Sequence, residues 1–147
     1  MTKTKVSLFL SGLLITGVTF AGPGVIETRH ELMEDTRDAA KVIGGMLKQQ
    51  KPFDAEAAMA ALKVWEKTAK ETGDLFPEGS ETGHDTEAKE TIWTDRAGFD
   101  EVLAEFGAKV DAAIAAKPAS LEELNAAAGP VFKSCKSCHE GYRVEKD

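Results

Sequence analysis

The chain has 147 residues, of which 42% are hydrophobic and 29% charged, and this length and composition fit one domain of ordinary size. Its formal net charge of −7 argues against nucleic acid as a partner, because a phosphate backbone is bound by a basic surface. The acidity is compatible with docking to a basic patch on another protein, and it serves solubility equally well.

The N-terminal segment has the pattern of a cleaved export signal. Lys3 and Lys5 form a basic start, residues 6–20 are apolar apart from small or hydroxyl residues, and a small residue follows them. A membrane anchor is the alternative, but the apolar run is short of the ~20 residues that a spanning helix prefers, so we predict no stable membrane span. We predict a signal peptide at 1–21 and one domain at 22–147. That domain has a net charge of −9, because the signal contains two lysines and no acid.

Four helical segments are predicted after the signal, and none of the sequence shows strand-like alternation. The first helix spans about residues 25–50, where apolar residues recur at seven-residue spacing, and it ends before Pro52. The second helix spans about residues 54–71. Asp54 can cap its start, and Gly73 stops it.

The longest predicted connection covers residues 73–85. Its length is above the usual value, which indicates a function or a loop that wraps another element. The third helix spans about residues 86–116, with the alternative that Thr94-Asp95 marks its true start after a separate turn.

The fourth helix opens with a capping box, Ser120 with Glu123, and reaches about Val144. Gly129-Pro130 should bend it, since proline cannot donate to the helical hydrogen bonds. Four helices joined mostly by short connections predict an all-α, antiparallel up-down four-helix bundle. The large aromatic residues that we expect mainly in its core are Trp65, Trp93, Phe99 and Phe106.

The most specific motif is Cys135-Lys136-Ser137-Cys138-His139, which has the C-x-x-C-H spacing for covalent haem attachment. On a helix the two cysteines are three residues apart, so both sulfurs emerge on one face and each can form a thioether with one haem vinyl group. His139 follows directly and can bind the iron as the proximal axial ligand. The chain has no other cysteine. We therefore predict one covalent haem c, bound inside the bundle against the first helix.

Other uses of a C-x-x-C pair fit less well. A dithiol redox site needs a strand–helix context, whereas the surroundings here are helical and rich in alanine. A zinc site needs four ligands, and besides His139 the chain has only His30 and His84, which we predict to be non-ligands. A structural disulfide would leave His139 unexplained. A non-haem thiol protein is the weakest alternative.

The order of several motifs resembles the class II cytochromes c, which are cytochrome c′ and its low-spin, methionine-ligated relatives. The C-x-x-C-H motif stands at the C-terminal end of the chain, with only eight residues after His139. The other matching segments are Arg29-x-x-x-Met33, Lys51-Pro52-Phe53-Asp54, Leu75-Phe76-Pro77-Glu78-Gly79-Ser80, Ile92-Trp93 with Phe99, and Tyr142-Arg143. The resemblance covers the whole predicted mature chain and implies the same four-helix bundle.

The resemblance also implies roles for three further residues. Met33 occupies the position that faces the open side of the haem, where it can bind iron as the distal axial ligand, face the haem without binding, or be a core methionine. Arg29 resembles the arginine that pairs with a haem propionate, and its alternative is a surface pair with Glu27 or Glu31. Arg143, four residues after the histidine, can shield the proximal imidazole or be a solvated charge.

The expected function is electron transfer through a His/Met-ligated haem in a bacterial periplasm, with periplasmic redox proteins as partners. The alternative is a five-coordinate protein of the cytochrome c′ type that binds NO or CO. No nucleophile–base pair or acid pair can be placed, so we do not predict an enzyme. The resemblance allows a monomer or a homodimer.

Overall fold

The computed structural model describes residues 23–145, which contain five α-helices and no β-strand. The helices are α1 (Pro23–Leu47), α2 (Ala55–Glu71), α3 (Thr91–Thr94), α4 (Arg96–Ala116) and α5 (Leu121–Tyr142). A 3₁₀ turn, Thr72–Leu75, follows α2. The four long helices form the predicted bundle, and the predicted signal peptide lies outside the described residues. None of the helices within residues 23–145 combines the length and the apolar composition that crossing a membrane requires.

The four long helices do not pack against one another equally. α1 packs along α2, α2 along α4, and α4 along α5. α1 and α5 also contact each other, but far more sparsely than those three pairs do. α1 and α5 are therefore the neighbouring long helices with the fewest direct contacts between protein residues.

The centre of the bundle is one apolar cluster to which all four long helices contribute. Trp65 on α2 is fully buried there, and its ring meets Phe132 of α5 edge to face, with 5.2 Å between the ring centroids. Phe99 and Phe106 are buried as predicted, whereas Trp93 is only half-buried. The buried members of the cluster are Ala39, Ile43, Met46, Ala58, Ala61, Leu62, Trp65, Phe106, Val110, Ala113, Leu124, Ala128 and Val131.

Aspartate side chains cap two of the helices, as the sequence predicts. The Oδ1 of Asp54 accepts hydrogen bonds from the backbone N–H of Glu56 at 2.9 Å and of Ala57 at 3.0 Å. The Oδ1 of Asp95 accepts from the N–H of Gly98 at 3.2 Å, so α4 starts there. The third predicted helix is thus divided into α3 and α4, which is the alternative that Thr94-Asp95 suggested. It begins at Thr91 rather than near residue 86, because residues 86–90 are irregular and pair with the end of α5.

The predicted capping box at the start of α5 forms with one difference. Ser120 Oγ accepts from the N–H of Glu123 at 3.2 Å, but the Glu123 carboxylate accepts from the N–H of Ala119 at 2.8 Å rather than from that of Ser120. The helix runs uninterrupted through Pro130, which lies on its exposed face, and ends at Tyr142, two residues before the predicted end.

The first helix is also shorter at its C-terminal end than predicted. It ends at Leu47 rather than near residue 50. Gln49 takes a φ of 56°, in the left-handed region, which an α-helix cannot continue through.

Candidate haem-binding site

The two cysteines of the C-x-x-C-H motif lie on α5, where both are half-buried free thiols. Cys135 packs against the apolar core of the bundle. Burial raises the pKa of both thiols, and the charge of Cys135 raises the pKa of Cys138 further, as expected for neighbouring sulfurs. The helix thus presents two protonated thiols side by side at the edge of the core.

His139 lies in the last turn of α5, at its exposed edge. Partial burial of the imidazole lowers the pKa of His139; the positive charge of Arg143 lowers it as well, and Glu87 raises it. A lowered pKa favours the neutral imidazole, which is the form that binds a metal. Arg143 itself is exposed, and its Nε pairs with the Glu87 carboxylate at 3.5 Å. The arginine therefore acts on the imidazole through its charge while paired to an acid of a different segment.

Met33 lies on α1, one turn after Arg29, beside the buried stripe of that helix. Its side chain is 36% exposed, and among the described residues Val144 is the only other large hydrophobic residue that exposed. Met46, a core methionine on the same helix, is 2% exposed. The surroundings of Met33 therefore differ from those of a core methionine.

Arg29 is buried, with 5% of its surface exposed, and its guanidinium binds the connection that follows α2. The Nε donates to the carbonyl oxygen of Leu75 at 2.5 Å. The Nη2 donates to the carbonyl oxygen of Ser80 at 3.0 Å and also to the Ser80 hydroxyl. The Nη1 donates to the Thr86 hydroxyl at 3.4 Å. The alternative prediction was a surface ion pair with Glu27 or Glu31. The Arg29 side chain is instead buried and binds the connection after α2.

The same guanidinium lies over two aromatic rings. Its central carbon is 4.2 Å from the ring centroid of Phe76 and 5.6 Å from that of Trp93. Burial lowers the pKa of Arg29, and the charge of Glu81 raises it. A guanidinium has five N–H donors, and the contacts to described residues use four of them. One Nη1 hydrogen is left for a further acceptor such as a carboxylate.

Four aromatic rings link the segment that follows α2 to α5, the helix that carries the C-x-x-C-H motif. Phe76 meets Trp93 and Phe99 edge to face, at centroid distances of 5.7 and 5.2 Å. Phe99 in turn meets Tyr142 at 5.2 Å, and Tyr142 is three residues after His139. The sequence predicted Trp93 and Phe99 in the core, but it did not indicate the contact between Phe99 and Tyr142, because these two residues lie on different helices.

The two histidines outside the motif are both exposed. His30 is on α1 beside Arg29, and His84 is in the long connection with a φ of 48°. Their prediction as non-ligands stays a prediction.

The chemistry of these residues fits a haem c. Two adjacent thiols on one helix can form two thioethers, and the histidine next to them has a pKa that favours the neutral, metal-binding imidazole. A partly exposed thioether side chain stands on α1, the helix that packs loosely against α5. Cys135, Cys138 and His139 are the residues that would hold the group, and Met33 is the candidate for its other side.

Comparisons with known proteins agree with this donor set. A family model described as Cytochrome C′ matches residues 24–143. The chain is 36% identical over 141 residues to cytochrome c′ from Rhodopseudomonas palustris, covering 93% of this chain and 94% of that protein. It is 33% identical over 135 residues to cytochrome c-556 from the same organism, covering 89% and 90%.

The fold comparison points the same way. A solved structure of cytochrome c′ from Rhodopseudomonas palustris matches with a TM-score of 0.81 at 34% sequence identity, covering 86% of this chain and 100% of that one. Sequence and fold thus agree over nearly the whole of the described residues. The chain belongs to the cytochrome c′ family, the class II cytochromes c, and is a mono-haem c-type cytochrome with one covalently attached haem c.

Proposed function

We propose that this cytochrome is an electron carrier whose haem iron is held by His139 and Met33. The observation that carries the proposal is the position of Met33. It is a large thioether side chain that protein atoms leave 36% exposed, on the helix that contacts α5 sparsely. A haem attached to α5 would cover such a side chain and could bind its sulfur.

Each residue of the proposed site has a distinct part. Cys135 and Cys138 would fix the haem through two thioethers, and His139 would bind iron through its neutral imidazole. Met33 would supply a neutral, polarizable sulfur on the opposite side. When bound, the haem supplies a one-electron couple, and histidine–methionine ligation raises its potential and leaves no open position. Such a site suits outer-sphere electron transfer.

The two arginines would act on charges around the haem. Arg29 would pair with a haem propionate through its remaining Nη1 hydrogen, in a charge-assisted contact. Arg143 would shield the proximal imidazole while its own side chain stays paired with Glu87. Both assignments rest on the resemblance and are compatible with the contacts that the two side chains make.

We further infer that the protein is exported to the periplasm and exchanges electrons with redox proteins there. Its net charge of −9 without residues 1–21 favours partners with a basic docking patch. The mass of the purified protein tests the export. We expect residues 22–147 plus one haem, and a mass that includes residues 1–21 would contradict a cleaved signal.

The second candidate function is the binding of NO or CO by a five-coordinate iron. One observation favours it: the chain is about as similar to a protein named cytochrome c′ as to one named cytochrome c-556. In that case Met33 would line the distal side without binding iron, and the vacant position would take a small diatomic ligand.

Optical spectra of the purified holo-protein separate the two functions. For an electron carrier we expect a low-spin ferric spectrum with a sulfur-to-iron charge-transfer band. Met33→Leu keeps the side-chain volume but removes the sulfur, so it should produce a high-spin iron that binds CO when reduced. The matched control is Met59→Leu on α2, where the half-buried methionine should leave the spectrum unchanged.

The same spectra can also contradict the carrier. A wild-type protein that is high-spin and takes up CO directly would establish the gas-binding alternative. A Met33→Leu protein that stays low-spin would show that another residue binds the iron.

A further inference from the structure

We propose that Arg29 is a positioning residue that sets the spacing between α1 and α5 at the haem-binding end of the bundle. It does so through residues 75–91, which we call the strap. The strap begins at the last residue of the 3₁₀ turn and ends at the first residue of α3. The proposal rests on the proposed function in one respect: a haem must lie between the two helices for their spacing to affect Met33.

The first step is that direct packing leaves this spacing poorly determined. The other three pairs of neighbouring long helices contact each other extensively, whereas contacts between α1 and α5 are sparse. Interdigitated side chains fix the separation of two helices, so a pair with few direct contacts takes its separation from other links, which here are the bound haem and the strap.

The second step is the attachment of the strap to α1. Arg29 reaches three points of the strap: the carbonyl oxygen of Leu75, both oxygens of Ser80, and the hydroxyl of Thr86. These partners lie 46 to 57 residues further along the chain. The guanidinium is buried and stays charged, so these contacts replace water that it would otherwise bind. Detaching the strap from Arg29 would leave a buried charge without its partners.

The third step is that the strap has a defined shape at this point. Gly79 takes a φ of 84°, which favours glycine, and the turn there places Ser80 inward with 2% of its surface exposed. The Ser80 hydroxyl accepts from Arg29 and donates to the carbonyl oxygen of Pro77 at 2.7 Å. The indole N–H of Trp93 donates to the same carbonyl at 3.0 Å. The Ser80 hydroxyl that accepts from the guanidinium is therefore also held by the Pro77 carbonyl, which Trp93 holds in turn.

The fourth step is the attachment of the strap to α5. The last carbonyls of a helix have no partner within it, and the strap supplies donors for them. The backbone N–H of Lys89 donates to the carbonyl of Tyr142 at 3.0 Å, and its Nζ donates to the carbonyl of Glu140 at 2.8 Å. In return, the N–H of Val144 donates to the carbonyl of Glu87 at 2.7 Å. The strap thus caps the helix that carries the haem motif.

The two attachments are adjacent in the chain. Thr86 accepts from Arg29, and the next residue, Glu87, pairs with the residues at the end of α5. Met33 is one turn after Arg29 on α1, and the capped carbonyls begin one residue after His139 on α5. The strap therefore ties the part of α1 near the distal residue to the part of α5 near the proximal one.

The consequence is a control of access to the distal side of the haem. If the strap holds α1 at a fixed distance from α5, Met33 stays where it can reach or cover the iron. If either attachment is cut, α1 can move away, and a diatomic ligand reaches the iron more easily. This holds whether the thioether of Met33 binds iron or only lines the distal side.

The experiment weakens each attachment in the holo-protein and measures CO association with the reduced haem. Arg29→Lys keeps the charge but loses the fork that reaches three points. Lys89→Ala removes the contact with Glu140 and leaves the backbone hydrogen bonds between the strap and α5 in place. Their controls are Arg37→Lys and Lys70→Ala, which change exposed ion pairs away from the strap. We expect Arg29→Lys to speed CO association about tenfold, the factor that corresponds to losing one buried hydrogen bond to a charged group, and Lys89→Ala to speed it about twofold, because its contact is exposed.

Two further measurements identify the strap as the cause. Amide hydrogen exchange within residues 75–91 should be faster in both strap variants than in the controls. In the double variant Arg29→Lys/Lys89→Ala, the CO rate should equal that of Arg29→Lys alone, because both changes release the same element. Multiplied rates would mean two independent effects and would overturn the proposal.

The proposal is also overturned if both strap variants bind CO at the wild-type rate, or if only Arg29→Lys binds it faster. The latter result would assign Arg29 a local role at the haem. Failure of the proposed function is visible separately, because the wild-type spin state reports the ligation of Met33 and the variant rates are compared with wild type in either spin state.

Discussion

The indole Nε1 of Trp65 donates a hydrogen bond to the backbone carbonyl of Thr36 at 3.1 Å, and this contact joins α2 to α1 inside the bundle. The hydroxyl of the same Thr36 is 2.7 Å from that of Thr68, which lies one turn after Trp65 on α2. The Trp65 ring also meets Phe132 of α5. One side chain thus links three of the four long helices.

Replacing Trp65 should therefore destabilise the bundle. We expect Trp65→Phe to lower the free energy of unfolding by about 1–2 kcal/mol, because the hydrogen bond and part of the buried area are lost. Trp65→Ala should cost about 3–5 kcal/mol through a large cavity. Urea unfolding of the holo-protein measures both. Lys67→Ala, an exposed change on the same helix, is the control, and a Trp65→Ala protein as stable as that control would contradict the packing.

Ser134 is a buried residue whose hydroxyl we expect to lower the stability of the fold. It is 5% exposed, and its hydroxyl has no hydrogen-bond partner among the described residues. We expect Ser134→Ala to raise the free energy of unfolding by about 0.5–1 kcal/mol, since an unpaired buried hydroxyl is unfavourable and alanine favours helix.

The control for Ser134→Ala is one turn away on the same helix. Ser137 is exposed, and its hydroxyl donates to the carbonyl of Lys133 at 3.1 Å, so Ser137→Ala should change stability by less than about 0.5 kcal/mol. A clear loss of stability in Ser134→Ala relative to this control would show that its hydroxyl has a partner in the holo-protein.

The cap of α2 gives a third prediction. Asp54 accepts two backbone hydrogen bonds, and Asp54→Ala should cost about 1 kcal/mol because both donors lose their acceptor. Asp54→Asn keeps an acceptor oxygen and should retain most of the stability. Thermal unfolding of the two holo-variants compares them directly, and equal losses would show that the cap is not the reason.

Haem attachment gives a fourth prediction. Cys135→Ala and Cys138→Ala each keep one sulfur, so each protein should retain a covalent haem through a single thioether. The double variant should retain none. Mass spectrometry of the unfolded proteins measures the added haem, with Ser137→Ala between the two cysteines as the control. A wild-type protein with two free thiols and no added mass would return the chain to the thiol-protein alternative.

The sequence predicted the helices well because their signals are local. Asp54, Asp95 and Ser120 each cap a helix through N–H groups two or three residues away, so the pattern is visible without the fold. The apolar stripes that bury Ile43 and Val110 are equally local, since they repeat at helical spacing. The end of α1 was predicted wrongly because Gln49 has a left-handed φ, and glutamine is not a residue type that usually adopts this conformation.

The environment of Arg29 could not be predicted in the same way. Its partners are two backbone oxygens and two hydroxyls in an irregular segment about fifty residues further on, and any residue type carries a backbone oxygen. The resemblance suggested a haem propionate, and the residue pattern suggested a surface pair. Neither indicated that the side chain would be buried and bound to the strap.

The sequence by itself determined the cofactor and the architecture, because a five-residue motif specifies the haem chemistry and short-range periodicity specifies four amphipathic helices. The tertiary structure decided that α1 and α5 share few direct contacts, that protein residues leave Met33 partly exposed, and that residues 75–91 join these two helices. These features depend on contacts between residues far apart in the chain. Such contacts form only when the helices pack, because packing brings the unpaired carbonyls at the end of α5 and the guanidinium of Arg29 next to their partners.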